Sequence, residues 1–416
     1  MIKYILICAK IIGFIIGSIT LESRLEGQYS VYLLLYSLIS FIAFFTEMGV
    51  FYSSSNQKHT ILEIKRKIGR VCLASFFMSV ATVSMLYFLE VIVFGIYLTV
   101  FLLFTPLLIN LNALFKGLMV YNHQPVSVAA LDAAAFGLPG FLFFFWLGEF
   151  SLEISLAVIL TAQLFALMIL YALTLKVYNA PLYPIINTSY SKFEKQMLYS
   201  NMFAAPIGHL DLWAINYLVP TVENSTLLIR DLASKVPNVF FPILQIILYP
   251  KMIMLKNKRL ANILFDRVSS RVLMAAFIPL IFVATFRFDL ELYFQAHAFL
   301  FDNILIILLF SFRTIGSFVG PLMMLHNRSD LSLVRNIFST CSLTLVVVML
   351  YALNLELGVN MIYSAFLVCL VVLSILDFII VQKIFLHLKS AFSRLYFALG
   401  ITVLYIVLSG GWTNEV

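Results

Sequence analysis

Long apolar stretches, each about as long as a bilayer is thick, follow one another along the chain with short polar interruptions. A helix needs about 20 apolar residues to cross the hydrocarbon core. On that measure the pattern predicts helices over 4–21, 29–51, 70–89, 94–120, 126–148, 154–175, 199–220, 226–249, 270–288, 300–325, 334–355, 359–386 and 395–411. Within each stretch the apolar residues run continuously instead of alternating, which excludes a transmembrane β-barrel. The last stretch is the weakest, being short and ending on Gly410 and Gly411. The first follows a short basic start, as a signal peptide does. It lacks a small-x-small cleavage site, so it is expected to stay as the first helix.

Composition narrows the class. Of 416 residues, 62% are apolar or aromatic and only 11% are charged, against about 25% charged in soluble domains. An all-α, polytopic membrane protein follows, with twelve core spans and a thirteenth in question. Little chain is left for an extramembrane domain, so a soluble enzyme, a nucleic-acid-binding domain and a disulfide-stapled module are excluded. Cys8, Cys72, Cys341 and Cys369 all sit in apolar stretches without CxxC spacing and read as small buried hydrophobes, not metal ligands.

Charge supplies the orientation. With the N-terminus in the cytoplasm, nearly all of the 27 Lys and Arg residues fall on inner loops or inner helix ends, and only Arg24 and Arg287 fall outside. Acidic residues lean outward. This is the positive-inside distribution, and it accounts for the net charge of +7 without a polyanionic partner. The longest loops, near 53–69, 176–198 and 250–269, are all inner ones. No outer loop is long enough to carry the catalytic groups of a membrane polymerase.

The chain also repeats itself at a spacing near 200 residues. Residues 107–131 and 311–334 each carry a small-residue helix end (Gly117, Gly320), a Leu-Met-rich turn and a short His/Asn loop. The basic loops 53–70 and 250–271 correspond as well. Six spans per half preserve orientation, so the halves are expected to be parallel copies. The expected division is 1–175 for an N-terminal six-helix bundle, 176–198 for a cytoplasmic linker, 199–388 for a C-terminal six-helix bundle and 389–416 for a tail. A duplicated bundle with a central cavity suits an alternating-access transporter. No Walker motif, HExxH or GxSxG occurs, so no catalytic residue, metal or cofactor is expected.

Ionisable residues at membrane depth are the candidate chemistry. Each costs about 2.5–3.5 kcal/mol at a helix centre on insertion scales, so such groups face each other or a wet cavity. Arg313 lies midway along the tenth span without an acid on its own helix. Arg230, Asp231 and Lys235 lie in the eighth. Asp231 and Lys235 are four apart and can neutralise each other, whereas Arg230 points elsewhere. Asp211, with His209 beside it, is central in the seventh span, and serves either as counter-ion to an arginine or as a proton carrier. Glu47, Asp132 and Asp377 lie toward inner helix ends, where a structural role is as natural as ion coupling. Lys10 and Lys116 can snorkel to the inner surface. The candidate substrate-binding set is Arg313, Arg230, Lys235, Lys10 and Lys116; the candidate ion-coupling set is Asp211, Glu47 and Asp132. Proline and glycine interrupt several spans: Pro106, Gly137, Pro139, Gly140, Pro206, Pro237 and Pro242.

These residues resemble a family. The segment EGQYSVYLLLYSLISFIAFFTEMGVFYSSSN, with Gly27, Tyr29 and Ser30 in a first turn and Glu47, Met48 and Gly49 in a second, resembles the Wzx-type O-antigen flippases. These form the polysaccharide branch of the multidrug/oligosaccharidyl-lipid/polysaccharide exporter superfamily. Asp211 and Pro250 fit the same pattern. Leu25-Glu26-Gly27 departs from the family's usual Leu-Gly turn, and the thirteenth stretch is extra. The resemblance implies a flippase of the bacterial inner membrane that carries undecaprenyl-pyrophosphate-linked oligosaccharide, an O-antigen or related lipopolysaccharide repeat unit, to the outer face. It implies lipid-linked oligosaccharide and membrane lipid as ligands, a polysaccharide polymerase and a chain-length regulator as partners, and no nucleic acid. A proton- or sodium-coupled small-molecule exporter of the same superfamily is the alternative.

Overall fold

The structure is a computed structural model of the whole chain, and the described residues are 2–43, 61–88, 95–121, 125–178, 190–219, 222–235, 328–353 and 358–384, with isolated positions between 260 and 323. Over these residues the chain is helical: α1 Ile2–Leu25, a 3₁₀ turn Glu26–Gln28, α2 Tyr29–Ile42, α3 Ile61–Phe88, α4 Ile96–Tyr121, α5 Pro125–Asp132, a π-helical turn Ala133–Gly137, α6 Leu138–Phe145, α7 Leu152–Tyr178, α8 Tyr190–Ile207, α9 Leu210–Leu218, α10 Asn224–Lys235, α11 Ser329–Ala352 and α12 Val359–Ile384. Among the described residues seven segments are long and apolar enough to cross a membrane: Tyr4–Leu25, Ile68–Tyr87, Ile96–Gly117, Val126–Phe145, Leu152–Ala172, Asp330–Ala352 and Val359–Asp377. Each coincides with a stretch expected from the sequence. The expected spans over 270–288 and 395–411 lie outside the described residues, as do 44–51 and 236–249 of the spans beginning at 29 and 226 and all but a few positions of the span over 300–325.

Their surfaces are what a bilayer requires. Phe76, Phe77, Leu164, Phe165, Met168, Val348 and Met349 are exposed, which in water would favour aggregation and in lipid is the resting state. Cys8 and Cys341 are also exposed. Cys72 and Cys369 are half-buried, so the expectation that the cysteines are buried holds for none of the four: an apolar stretch in a membrane helix has an outer face as apolar as its inner one.

Over the described residues the chain forms two compact units, one running to Pro206 and the other beginning at Ile207. In the first, α1 packs along α5, the π turn and α6, while α4 packs between α3 and α7. Glycine makes the α1–α6 approach possible. A Cβ on Gly17 would lie 2.8 Å from Gly140 Cα, and one on Gly140 would overlap the carbonyl of Gly13. Small residues at such crossings let membrane helices reach backbone contact, where dispersion replaces the missing hydrophobic driving force. In the second unit, α9 packs against α11 and α12, which pack on each other.

Two expected spans are not simple rods. The fifth is interrupted by the π turn, where Gly137, Pro139 and Gly140 had marked a break. The seventh is cut in two. Helix α8 contains Pro206 and ends at Ile207, and α9 starts at Leu210 after a two-residue turn.

Candidate functional site

The helix break at Gly208–His209 falls within the stretch expected as the seventh span, where freed backbone polar groups must be satisfied inside the protein. The His209 carbonyl accepts from Trp213 N at 3.2 Å and starts the next helix. The Gly208 carbonyl is left over, and arginine fills the vacancy. Arg230 Nη2 donates to it at 3.0 Å and Arg313 Nη1 at 3.3 Å. Asp211 lies one residue into α9, where the positive end of the helix dipole favours a carboxylate. Arg230 grips that carboxylate bidentately, Nε to Oδ2 at 3.0 Å and Nη2 to Oδ1 at 3.1 Å. Arg313 Nη1 donates to Oδ1 at 3.0 Å. The cluster is closed: side-chain exposure is 0% for Asp211, 2% for Arg230 and 7% for Arg313. Asp231 is buried beside it and acts on Arg230 electrostatically.

A second cluster lies in the first unit. Lys10 Nζ on α1 donates to Asp132 Oδ2 at 2.9 Å, and Lys116 Nζ on α4 donates to Asp132 Oδ1. All three side chains are at most 8% exposed. Asp132 ends α5 immediately before the π turn, and Phe136 of that turn lies under both ammonium groups, 5.4 Å from Lys10 and 5.2 Å from Lys116. Gly137 brings α1 into place, since a Cβ there would lie 2.8 Å from Lys10 Cα. The π turn frees a carbonyl, that of Ala135, which accepts from Gln163 Nε2 at 3.1 Å; Asn112 Nδ2 in turn donates to Gln163 Oε1 at 2.8 Å. A polar ladder from α4 through α7 thus holds the bulge that carries the Lys10–Asp132–Lys116 bridge.

The sequence-expected residues divide as follows. Arg230, Arg313 and Asp211 come together, and Asp211 takes the counter-ion geometry. Lys10, Lys116 and Asp132 come together too, and neither lysine snorkels: a buried carboxylate from another helix offers more than the distant interface. Asp377 pairs with Arg335 Nε at 2.6 Å, a structural contact between α11 and α12. Lys235 ends α10, but its side chain lies outside the described residues, and so does Glu47. Among the described residues no cluster of His, Cys, Asp or Glu has the makings of a metal site. Sequence reasoning missed the Asn112–Gln163 ladder, whose only signal was two amides on strongly apolar helices.

This arrangement sits on a known transporter fold. The chain has the fold of the MATE transporters of the MOP superfamily, and it is an all-α, polytopic membrane protein. The similar solved structures include an outward-facing multidrug resistance MATE family transporter of the MOP superfamily, with TM-score 0.54 and 14% identity over 95% of this chain and 96% of that one. A MATE in complex with MaD3S superposes with TM-score 0.56 and 14% identity over 95% and 96%. A MOP superfamily transporter from Pyrococcus furiosus, described by the reverse polarity of its binding pocket, gives TM-score 0.55 and 13% identity over 94% and 96%. No family model and no curated protein matches the sequence.

Proposed function

We propose that the protein is an alternating-access transporter whose substrate is anionic: an undecaprenyl-pyrophosphate-linked oligosaccharide, flipped across the bacterial cytoplasmic membrane. One observation carries this reading. In each buried cluster a single carboxylate is bonded by two cations, Asp132 by Lys10 and Lys116, Asp211 by Arg230 and Arg313. A pump for organic cations needs carboxylates open to its substrate, whereas these are already taken. Paired cations around one acid leave a positive excess suited to phosphate, for which arginine offers forked, charge-assisted hydrogen bonds. In the second unit the buried Asp231 cancels that formal excess, so the net positive charge lies with Lys10, Asp132 and Lys116, and the second cluster offers phosphate its guanidinium donors and not a net charge. Under this reading the two halves are six-helix bundles joined by the inner 176–198 linker, and a polymerase and chain-length regulator take the product.

The second reading, export of small molecules, is favoured by the multidrug resistance description of a structural neighbour. Purified protein in liposomes separates the two. The expected result is that a polyprenyl-pyrophosphate-linked oligosaccharide becomes accessible to an external glycosidase only in the presence of the protein, and that ethidium is not moved. Ethidium transport without oligosaccharide flipping would establish the exporter instead. Within the flipping assay Arg313→Ala is expected to abolish activity while Arg313→Lys retains part of it, because lysine keeps the charge but replaces the planar guanidinium fork with a compact ammonium. Equal, full activity of both variants would remove Arg313 from the transport path.

A further inference from the structure

Tyr363, near the start of α12, is fully buried, and its hydroxyl has no hydrogen-bond partner. A buried polar group in that condition needs a reason, because it gave up hydration without replacement. Helix α12 packs on α9, the short helix that carries Asp211. The phenol lies within electrostatic range of Asp211, Arg230 and Arg313. The two guanidinium groups bond the Asp211 carboxylate and the Gly208 carbonyl, and the nearby phenol O–H bonds neither.

We infer that Tyr363, Arg230 and Arg313 form a phosphate- or pyrophosphate-binding site in which Asp211 is the resident stand-in for the ligand. This inference rests on the anionic-substrate reading above and names the groups that would hold the anion. The carboxylate accepts three hydrogen bonds, all from Arg230 and Arg313, and where it stands it takes none from the Tyr363 hydroxyl. A phosphate is a larger tetrahedron with more acceptor oxygens, and one of these would meet the hydroxyl that the planar carboxylate leaves unbonded. The stand-in is also mounted so that it can leave. Asp211 sits in the first turn of a nine-residue helix that begins after the Gly208–His209 turn, so a change in φ and ψ at two residues would withdraw the carboxylate. The Gly208 carbonyl, which both arginines also hold, keeps them from collapsing when it goes.

The test uses full-length protein in detergent, with inorganic pyrophosphate as the probe and binding read by calorimetry and by fluorescence of Trp213, two residues beyond Asp211. Tyr363→Phe removes only the hydroxyl. It is expected to melt at or above the wild-type temperature, since it deletes an unsatisfied group, and to bind pyrophosphate about five- to ten-fold more weakly, one hydrogen bond's worth. Asp211→Asn removes the competing charge and keeps the shape; it is expected to bind pyrophosphate at least about ten-fold more tightly. Should Asp211→Asn fail to fold, the Tyr363→Phe comparison decides alone. Unchanged affinity in Tyr363→Phe, or a lowered melting temperature that accounts for its weaker binding, overturns the inference. Parallel titrations with polyprenyl pyrophosphate and with phosphatidylglycerol separate the sources of phosphate. Tighter binding of polyprenyl pyrophosphate, sensitive to Tyr363→Phe, places the substrate's own headgroup there, and a preference for phosphatidylglycerol overturns the assignment to substrate. Pyrophosphate binding with these sensitivities but no flipping in liposomes keeps the site and defeats the transport reading, whereas flipping with insensitive binding does the reverse.

Discussion

Asp132→Ala is expected to destroy most of the folded protein. It leaves Lys10 and Lys116 buried against each other with no counter-charge, and breaking a buried ion cluster by removing one member costs about 3–5 kcal/mol. Phe136 lies under both ammonium groups already in the wild type, so its cation–π contacts do not offset this loss. The measurement is the yield of monodisperse protein after detergent extraction and its melting temperature. The companion variant replaces the whole cluster, Lys10→Met with Lys116→Met and Asp132→Leu. Substituting apolar residues for a complete buried ion cluster is often neutral or stabilising, so this triple variant is expected to fold like the wild type. Its transport then separates two roles. If the bridge only holds α1, α4 and α5 together, the triple variant transports. If these charges handle substrate or coupling ion, as proposed, it folds and does not. Wild-type melting of Asp132→Ala would mean that the lysines are not held by this carboxylate at all.

The contrast between what the sequence discloses and what it hides follows from the solvent. A bilayer demands a continuous apolar window for each crossing, so α1, α4, α7, α11 and α12 can be read from hydropathy to within a few residues, whereas α3 starts nine residues before its apolar window, at Ile61. Charge bias adds an expected orientation. Helix interruptions are half legible. Pro206 and the Gly137-Leu-Pro-Gly140 run announce that the seventh and fifth spans bend, but not that one breaks after Ile207 and the other adds a π turn. Those outcomes depend on which neighbours can satisfy the freed carbonyls, Arg230 and Arg313 for Gly208 and Gln163 for Ala135.

Charge partners are the least legible element. The sequence marks Arg313 as an arginine without an acid on its own helix and Arg230 as turned away from the Asp231–Lys235 face. Nothing local says that both go to Asp211, 102 and 19 residues away. Lys10 meets Asp132 across 122 residues, where local reasoning offered only snorkelling. In a single sequence a buried charge states that it needs a partner and not which one, because pairing is fixed by helix packing. That packing is set in turn by small residues whose importance hydropathy does not register. Gly13 and Gly17 look like ordinary members of an apolar helix until α6 is laid against them.

That dependence makes Gly140→Leu the second large effect. A side chain at this position would begin inside the backbone of α1 at Gly13 and close to Gly17 N. Neither can yield as the tip of a flexible side chain would, so α1 and α6 must separate. Overpacking typically costs about 1–3 kcal/mol and occasionally more; a backbone collision belongs at the top of that range, because separation also forfeits the dispersion contacts along the crossing. The loss extends to chemistry. Lys10 reaches Asp132 only because α1 lies against the π turn at Gly137, so the displaced helix withdraws one of the two cations. Gly140→Leu is therefore expected to lower the melting temperature sharply, and in whatever folded fraction remains, to abolish transport. Gly69→Leu on α3, where a Cβ meets nothing within 4 Å, is the control and should behave as wild type. An intermediate variant sharpens the reading: Gly140→Ala adds the single atom that already overlaps Gly13, and is expected to fall most of the way to Gly140→Leu. If alanine were tolerated like glycine while leucine was not, the backbone contact between α1 and α6 would be looser than the structure places it, and the position of Lys10 would have to rest on its bond to Asp132 alone.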